Sequence, residues 1–283
     1  MKLGDFLKSR KGFYIRATSV KEKIRVRRTS GTIAYRFWEV DAARGIAIVM
    51  VVLYHLIYDL DNFGGYQIES TSGFWAVFAD TSAFAFVFLA GLSLSLSYAR
   101  ASAGPCSGRE LFGKYLRRGA RIFAYGMLIT LVFWVLGFGT VIFGILHLIG
   151  LSIVLAYPFM KLRLPNLLLG LSVIALGVYV QIEDLSAAGA AGVLLAPLGV
   201  VPESLFMPDY RPLLPWFGVV LLGLFFGNVV YRERARKTPS GTERPAYARL
   251  ITFLGRHTLL IYLVHQPVLI TALWALGVIS LAP

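Results

Sequence analysis

Seven stretches of this chain, 43–60, 74–98, 119–137, 140–160, 165–181, 212–231 and 252–276, are each apolar over roughly the length of a membrane-crossing helix. About 20 mostly apolar residues carry a helix through the hydrocarbon. No other feature constrains the fold so strongly, and the composition agrees with it. Of the 283 residues, 57% are hydrophobic and 15% charged, against about 45–50% and about 25% in soluble domains. A soluble fold of this size lacks the interior to hide so much apolar surface. A soluble enzyme, a disordered chain and a secreted disulfide scaffold are thereby excluded. The single cysteine, Cys106, forms no intrachain disulfide. The expected fold is an all-α, polytopic transmembrane bundle of about seven spans.

One further apolar stretch, 186–201 (SAAGAAGVLLAPLGVV), is short, rich in small residues and contains Pro197. Charge decides how it is read. If it does not cross, the segments 1–44, 99–121, 160–165 and 232–256 share one side and hold every Lys and Arg except Arg211. The other side then carries Asp59, Asp61, Glu69, Glu183, Asp184, Glu203 and Asp209. Cytoplasmic loops of membrane proteins are rich in Lys and Arg. This places the N-terminus in the cytoplasm and the C-terminus outside, in a cell membrane, and makes 186–201 a re-entrant or interfacial element. Residues 1–35 form a basic cytoplasmic tail suited to anionic headgroups, and 36–283 the membrane domain. The net charge of +13 belongs to these loops rather than to nucleic-acid binding. Trp75, Trp134, Trp216 and Trp274 fall near outer span ends and Trp38 near an inner one, as an interfacial belt requires.

Polar groups within spans are costly and mark functional candidates. Asp41 and Arg44 stand three apart at the start of the first span, and Arg44 is placed to meet a phosphate at the cytoplasmic mouth. His55 lies eleven residues on, about 16 Å deeper, with Asp59 one turn beyond it. A carboxylate at that spacing can orient an imidazole as a general base. Asp80, in FADTSAFAF, has no local cation, so a cation or histidine from another helix must meet it, or it is protonated. His147 and His265 are the remaining histidines within spans. No Walker loop, CxxC pair, HExxH or GxSxG occurs, and no metal site is expected.

The run RFWEVDAARGIAIVMVVLYHLIYDL, containing Asp41, Arg44, Gly45, Ile46 and Ala47, resembles the start of the heparan-alpha-glucosaminide N-acetyltransferase catalytic family. FADTSAFAFVFLAGLSLSLS, FGILHLIGLSIVLAYP, DYRPLLPWFGVVLLG and LGRHTLLIYLVHQPVL follow in the family's order, out to about residue 271. The resemblance implies an integral membrane acetyltransferase. Acetyl-CoA would be the cytosolic donor, and an amino sugar or cell-surface glycan the acceptor on the far side. It is also compatible with a homodimer among membrane lipids.

On this reading Arg44, Arg117, Arg118, Arg121, Arg256 and His257 hold the donor's phosphates at the inner face. His55, oriented by Asp59 or Asp80, takes the acceptor's proton in direct transfer or acts first as an acetyl-accepting nucleophile. His147 is a candidate oxyanion donor, and His265 completes the polar set. A rival class is a proton-coupled transporter, with His55 and Asp80 as relay and 186–201 as gate. A silent scaffold would bind no CoA at all.

Overall fold

The computed structural model describes residues 37–136, 141–202, 209–231 and 245–280. The basic tail over 1–35 and most of the loop after Tyr231 lie outside the described residues. Among those described, six helices are long and apolar enough to cross a membrane. They are α1 (Trp38–Gly64), α2 (Gly73–Ala101), α3 (Gly108–Leu136), α5 (Leu164–Ile182), α7 (Leu213–Phe226, continued by a π-turn over Gly227–Tyr231) and α9 (Thr258–Ala275). Three shorter helices accompany them: α4 (Ile145–Leu155), α6 (Gly189–Leu195) and α8 (Arg249–Arg256). The chain is a multi-pass, all-α membrane bundle.

A seventh traverse comes from α4 and the 3-10 turn Tyr157–Phe159 that follows it. Residues 140–160 were expected to cross as one helix. Pro158 sits in that turn and brings no N–H to continue the ladder, so the helix tightens and stops. The traverse is nonetheless completed. Tyr157 Oη donates to Gly108 O (2.9 Å) at the start of α3, and Asn228 Nδ2 donates to Met160 O (3.1 Å) and Leu162 O (2.8 Å). One end of the bundle thus gathers Trp38, Ala101, Gly108, Met160, Tyr231 and Arg256. The opposite end gathers Gly64, Gly73 and Ile182. Of the described Lys and Arg, only Arg211 belongs to that opposite end.

The segment after α5 leaves and returns at the same end. Short parallel strands β1 (Ser186–Ala187) and β2 (Val201–Pro202) tie its two limits together, Ser186 opposite Val201. Between them, small residues bury little surface, and Pro197 ends α6 in a 3-10 turn. The expected span 252–276 is broken at His257 (φ −105°, ψ 17°) into α8 and α9. Helix α8 is amphipathic and lies across the start of α1. Its Gly255 faces the backbone of Asp41 and Gly45, and Gly45 faces the Ile251 carbonyl. These glycines let two backbones touch where a larger residue would hold them apart.

Helix α7 is the most buried of the spans. Gly91 of α2 and Gly223 of α7 lie against each other's helix backbone, at Val220 O and Phe88 O. The core around them is Val87, Leu94, Leu148, Val220, Leu221 and Leu224. Trp134 and Trp274 are exposed near span ends, where indole rings settle at a bilayer interface.

Candidate active site

His55 projects from the half of α1 away from the basic end and His265 from α9, and their rings meet edge to face with centroids 4.7 Å apart at 85°. Hydrogen-bond partners assign the tautomers. His55 Nδ1–H donates to Val51 O (2.8 Å) and His265 Nδ1–H to Tyr262 O (2.7 Å), since a carbonyl can only accept. Each ring therefore keeps an Nε2 lone pair. That of His265 is enclosed and has no partner among the described residues. Pro267, inside α9, removes the N–H that would bind Leu263 O. The opened turn carries His265 and Gln266. Tyr54 also meets the His55 ring edge to face, with centroids 5.7 Å apart.

Asp209 closes the site from the loop before α7. Its Oδ2 accepts from Tyr262 Oη (3.0 Å) and from the Ile145 N–H (3.4 Å) in the first turn of α4, where a helix favours negative charge. Burial pushes the Asp209 carboxyl up, while the Arg211 charge and the Tyr262 hydroxyl pull it back. Arg211 N–H donates to Phe143 O (3.0 Å) and Gly144 bridges Tyr210, which pins the two loops together. Tyr210 Oη donates to Ala196 O (2.6 Å), and burial pushes that phenol up to about 12.

His147 follows in the first turn of α4. The Gly144 N–H donates to its Nδ1 (3.2 Å), which leaves Nε2–H as a donor facing Thr130 Oγ1 at 3.5 Å. The Thr130 hydroxyl is itself turned to Val141 O. Gly126 makes room for the ring, since a Cβ there would lie 2.9 Å from Nδ1.

Asp80 of α2 meets its cation in Arg211, at 3.4 Å from Nη2, with the carboxylate side chain 68% exposed and the guanidinium side chain 23%. Arg211 also stands over the Trp216 ring at 5.1 Å. Asp59, by contrast, turns away from His55. It is fully buried, and its Oδ1 accepts from Gln266 Nε2 at 2.7 Å.

The six cationic candidates lie toward the basic end. Arg256 Nε pairs with Asp41 Oδ2 at 3.3 Å, joining α8 to α1. Arg44 is half-buried on the next turn of α1, and His257 Nδ1–H donates to Phe253 O (2.9 Å). Arg117, Arg118 and Arg121 are exposed on the first half of α3. Arg118 Nη1 donates to Ser97 Oγ (3.4 Å) and Arg117 Nε to Gly113 O (3.2 Å). Among the described residues, no group of three His, Cys, Asp or Glu converges to hold a metal.

Sequence reasoning missed Asp209, Arg211, Tyr262 and Gln266 as members of the site. Two signals were present. Arg211 is the one base on the acidic side, opposite an Asp80 without a local cation. Tyr262, His265 and Gln266 stand at i, i+3 and i+4, on one helical face.

The family described as heparan-alpha-glucosaminide N-acetyltransferase, catalytic, matches residues 36–267, well over half of the chain. No curated protein matches it.

Proposed function

The chain belongs to this N-acetyltransferase family, and from that premise we propose that it moves an acetyl group from cytosolic acetyl-CoA to an amino sugar or cell-surface glycan outside. Orientation follows the positive-inside tendency. The basic end then faces the cytosol, and the site built on His55, His265 and Asp209 lies toward the outer face. Guanidinium groups suit phosphates by charge and forked geometry. Arg44 and Arg256 from one corner, with His257, and Arg117, Arg118 and Arg121 from α3 supply them. By charge these cations are suited to the carrier's phosphates, and the carrier would bring an activated thioester.

The observation that carries the reading is the pairing of His55 and His265. Both spend Nδ1–H on a backbone carbonyl and keep the Nε2 lone pair. His55 Nε2 takes the proton of the acceptor amine as its nitrogen bonds to the acetyl carbon. The carbon–sulfur bond breaks, and sulfur leaves with the electron pair. His147, whose Nε2–H is the donor of its tautomer, steadies the developing oxyanion. His265 holds the His55 ring by contact, and the Asp80–Arg211 pair lines the acceptor side.

The test uses protein purified in detergent. Acetyl-CoA raises its melting temperature by mass action, and label from acetyl-CoA appears on glucosamine. His55→Ala lowers turnover by about 10²–10⁴-fold, the usual worth of a positioned base, with melting unchanged. Near-normal turnover in that variant rejects the role.

A further inference from the structure

Asp59 and Gln266 share one hydrogen bond, from Gln266 Nε2 to Asp59 Oδ1 at 2.7 Å. Each also has one enclosed oxygen, Asp59 Oδ2 and Gln266 Oε1, with no partner among the described residues. Both orphans are acceptors, so neither can satisfy the other without a hydrogen. A carboxylate sealed among apolar helices wants a cation. Among the described residues no Lys, Arg or His is bonded to Asp59, and His55, one turn back, gives its Nδ1–H to Val51 O. A single proton on Asp59 Oδ2, donated to Gln266 Oε1, satisfies both orphans at once. Acid and amide then form a closed ring of two hydrogen bonds.

The location gives this ring a task. Asp59 follows His55 by one turn of α1, and Gln266 follows His265 directly in α9. A fixed link there sets the axial register of the two helices where the imidazoles meet. We propose that Asp59 is held as the neutral acid in a cyclic pair with Gln266, and that this pair is a positioning device for His55 and His265. The assignment of the proton stands by itself, and only the positioning role rests on the acetyl-transfer reading. Asp59 acts through the other residues and does not touch the reacting atoms.

Asn is the natural probe. In Asp59→Asn the side-chain oxygen still accepts from Gln266 Nε2, while the new N–H₂ donates to Oε1, so the ring survives without any charge. Infrared spectra of the wild type and Asp59→Asn, at neutral pH in detergent, isolate the carbonyl stretch of a protonated carboxylic acid. That band is expected in the wild type and absent from the variant. Asp59→Asn is expected to keep wild-type kcat and KM, while Asp59→Ala loses about 100-fold in kcat through misplacement of the rings. A missing band would overturn the neutral acid, pointing to a carboxylate held by other means. Loss of activity in Asp59→Asn as complete as in Asp59→Ala would overturn the positioning role, because charge itself would then be required. Absence of acetyl transfer in the wild type would strike the enzymatic reading alone, and the band would still decide the pair.

Discussion

A methyl group at residue 255 should cost this bundle more than any other alanine substitution on its surface helices. At Gly255 an added Cβ would run into the Asp41 carbonyl oxygen and lie 2.7 Å from Asp41 C and 2.9 Å from Gly45 N. Relaxed C···O contacts sit at about 3.3–3.6 Å, so α8 must retreat from α1 by an ångström or more. Every atom in the way is backbone, and none can swing aside. Overpacking usually costs about 1–3 kcal/mol, and the upper end is expected here, about a hundredfold in the unfolding equilibrium. The assay is thermal unfolding in detergent of Gly255→Ala beside Gly113→Ala. Gly113 of α3 has open space around the same added atom. Its alanine gains helix propensity, up to about 1 kcal/mol, and should melt at or above the wild type. The displacement also carries Arg256 away from Asp41, so KM for acetyl-CoA should rise more than kcat falls. If Gly255→Ala melts with the wild type, the close crossing of α1 and α8 is wrong, and so is the phosphate corner built on it.

Two further outcomes follow from the site. Replacing Arg117 and Arg118 together by Ala should weaken CoA binding measured by calorimetry, and high salt should weaken the wild type in the same direction; an unchanged Kd removes α3 from the phosphate seat. Replacing Arg211 by Met removes the charge that favours ionised Asp209. A smaller fraction of Asp209 is then ionised at any pH, so the acid limb of the kcat/KM profile should move to higher pH; a limb that stays in place or moves down shows that Asp209 does not govern it.

Much of the architecture was legible because lipid imposes few solutions. Apolar length alone placed the six long helices, and the basic loops predicted that Lys and Arg would gather at one end. Breaks within apolar runs were harder to see. Pro158 inside 140–160 was visible, yet nothing local says whether a proline kinks a helix or ends it. The break at His257 arises from α8 docking across α1 through Gly255, a contact 214 positions from Asp41 that no local pattern encodes. The site shows the same division. His55, Asp80, His147 and His265 stood out because polar groups in spans are rare. Their partners did not. Asp59 at i+4 from His55 suggested an orienting bond, but a helix offers the His55 ring a nearer acceptor in Val51 O, and Asp59 found Gln266 instead. Asp209 and Arg211 sit in a connecting loop, where charged residues are ordinary, and only the folded chain brings them to Asp80 and Tyr262.

The brevity of α4 bears on the acetyl transfer proposed above, which would join two compartments. From Ile145 through Met160 the chain advances about 24 Å, less than the roughly 30 Å of a typical hydrocarbon core. Nearly all of α4 is enclosed by its neighbours, so protein rather than lipid makes up the shortfall: the chain before Ile145 turns inside the bundle at the buried Val141 and Phe143, and His147 lies just past that turn. On the proposed orientation, a carrier held at the basic end would have to extend its activated group only as far as that inner turn, not to the far surface.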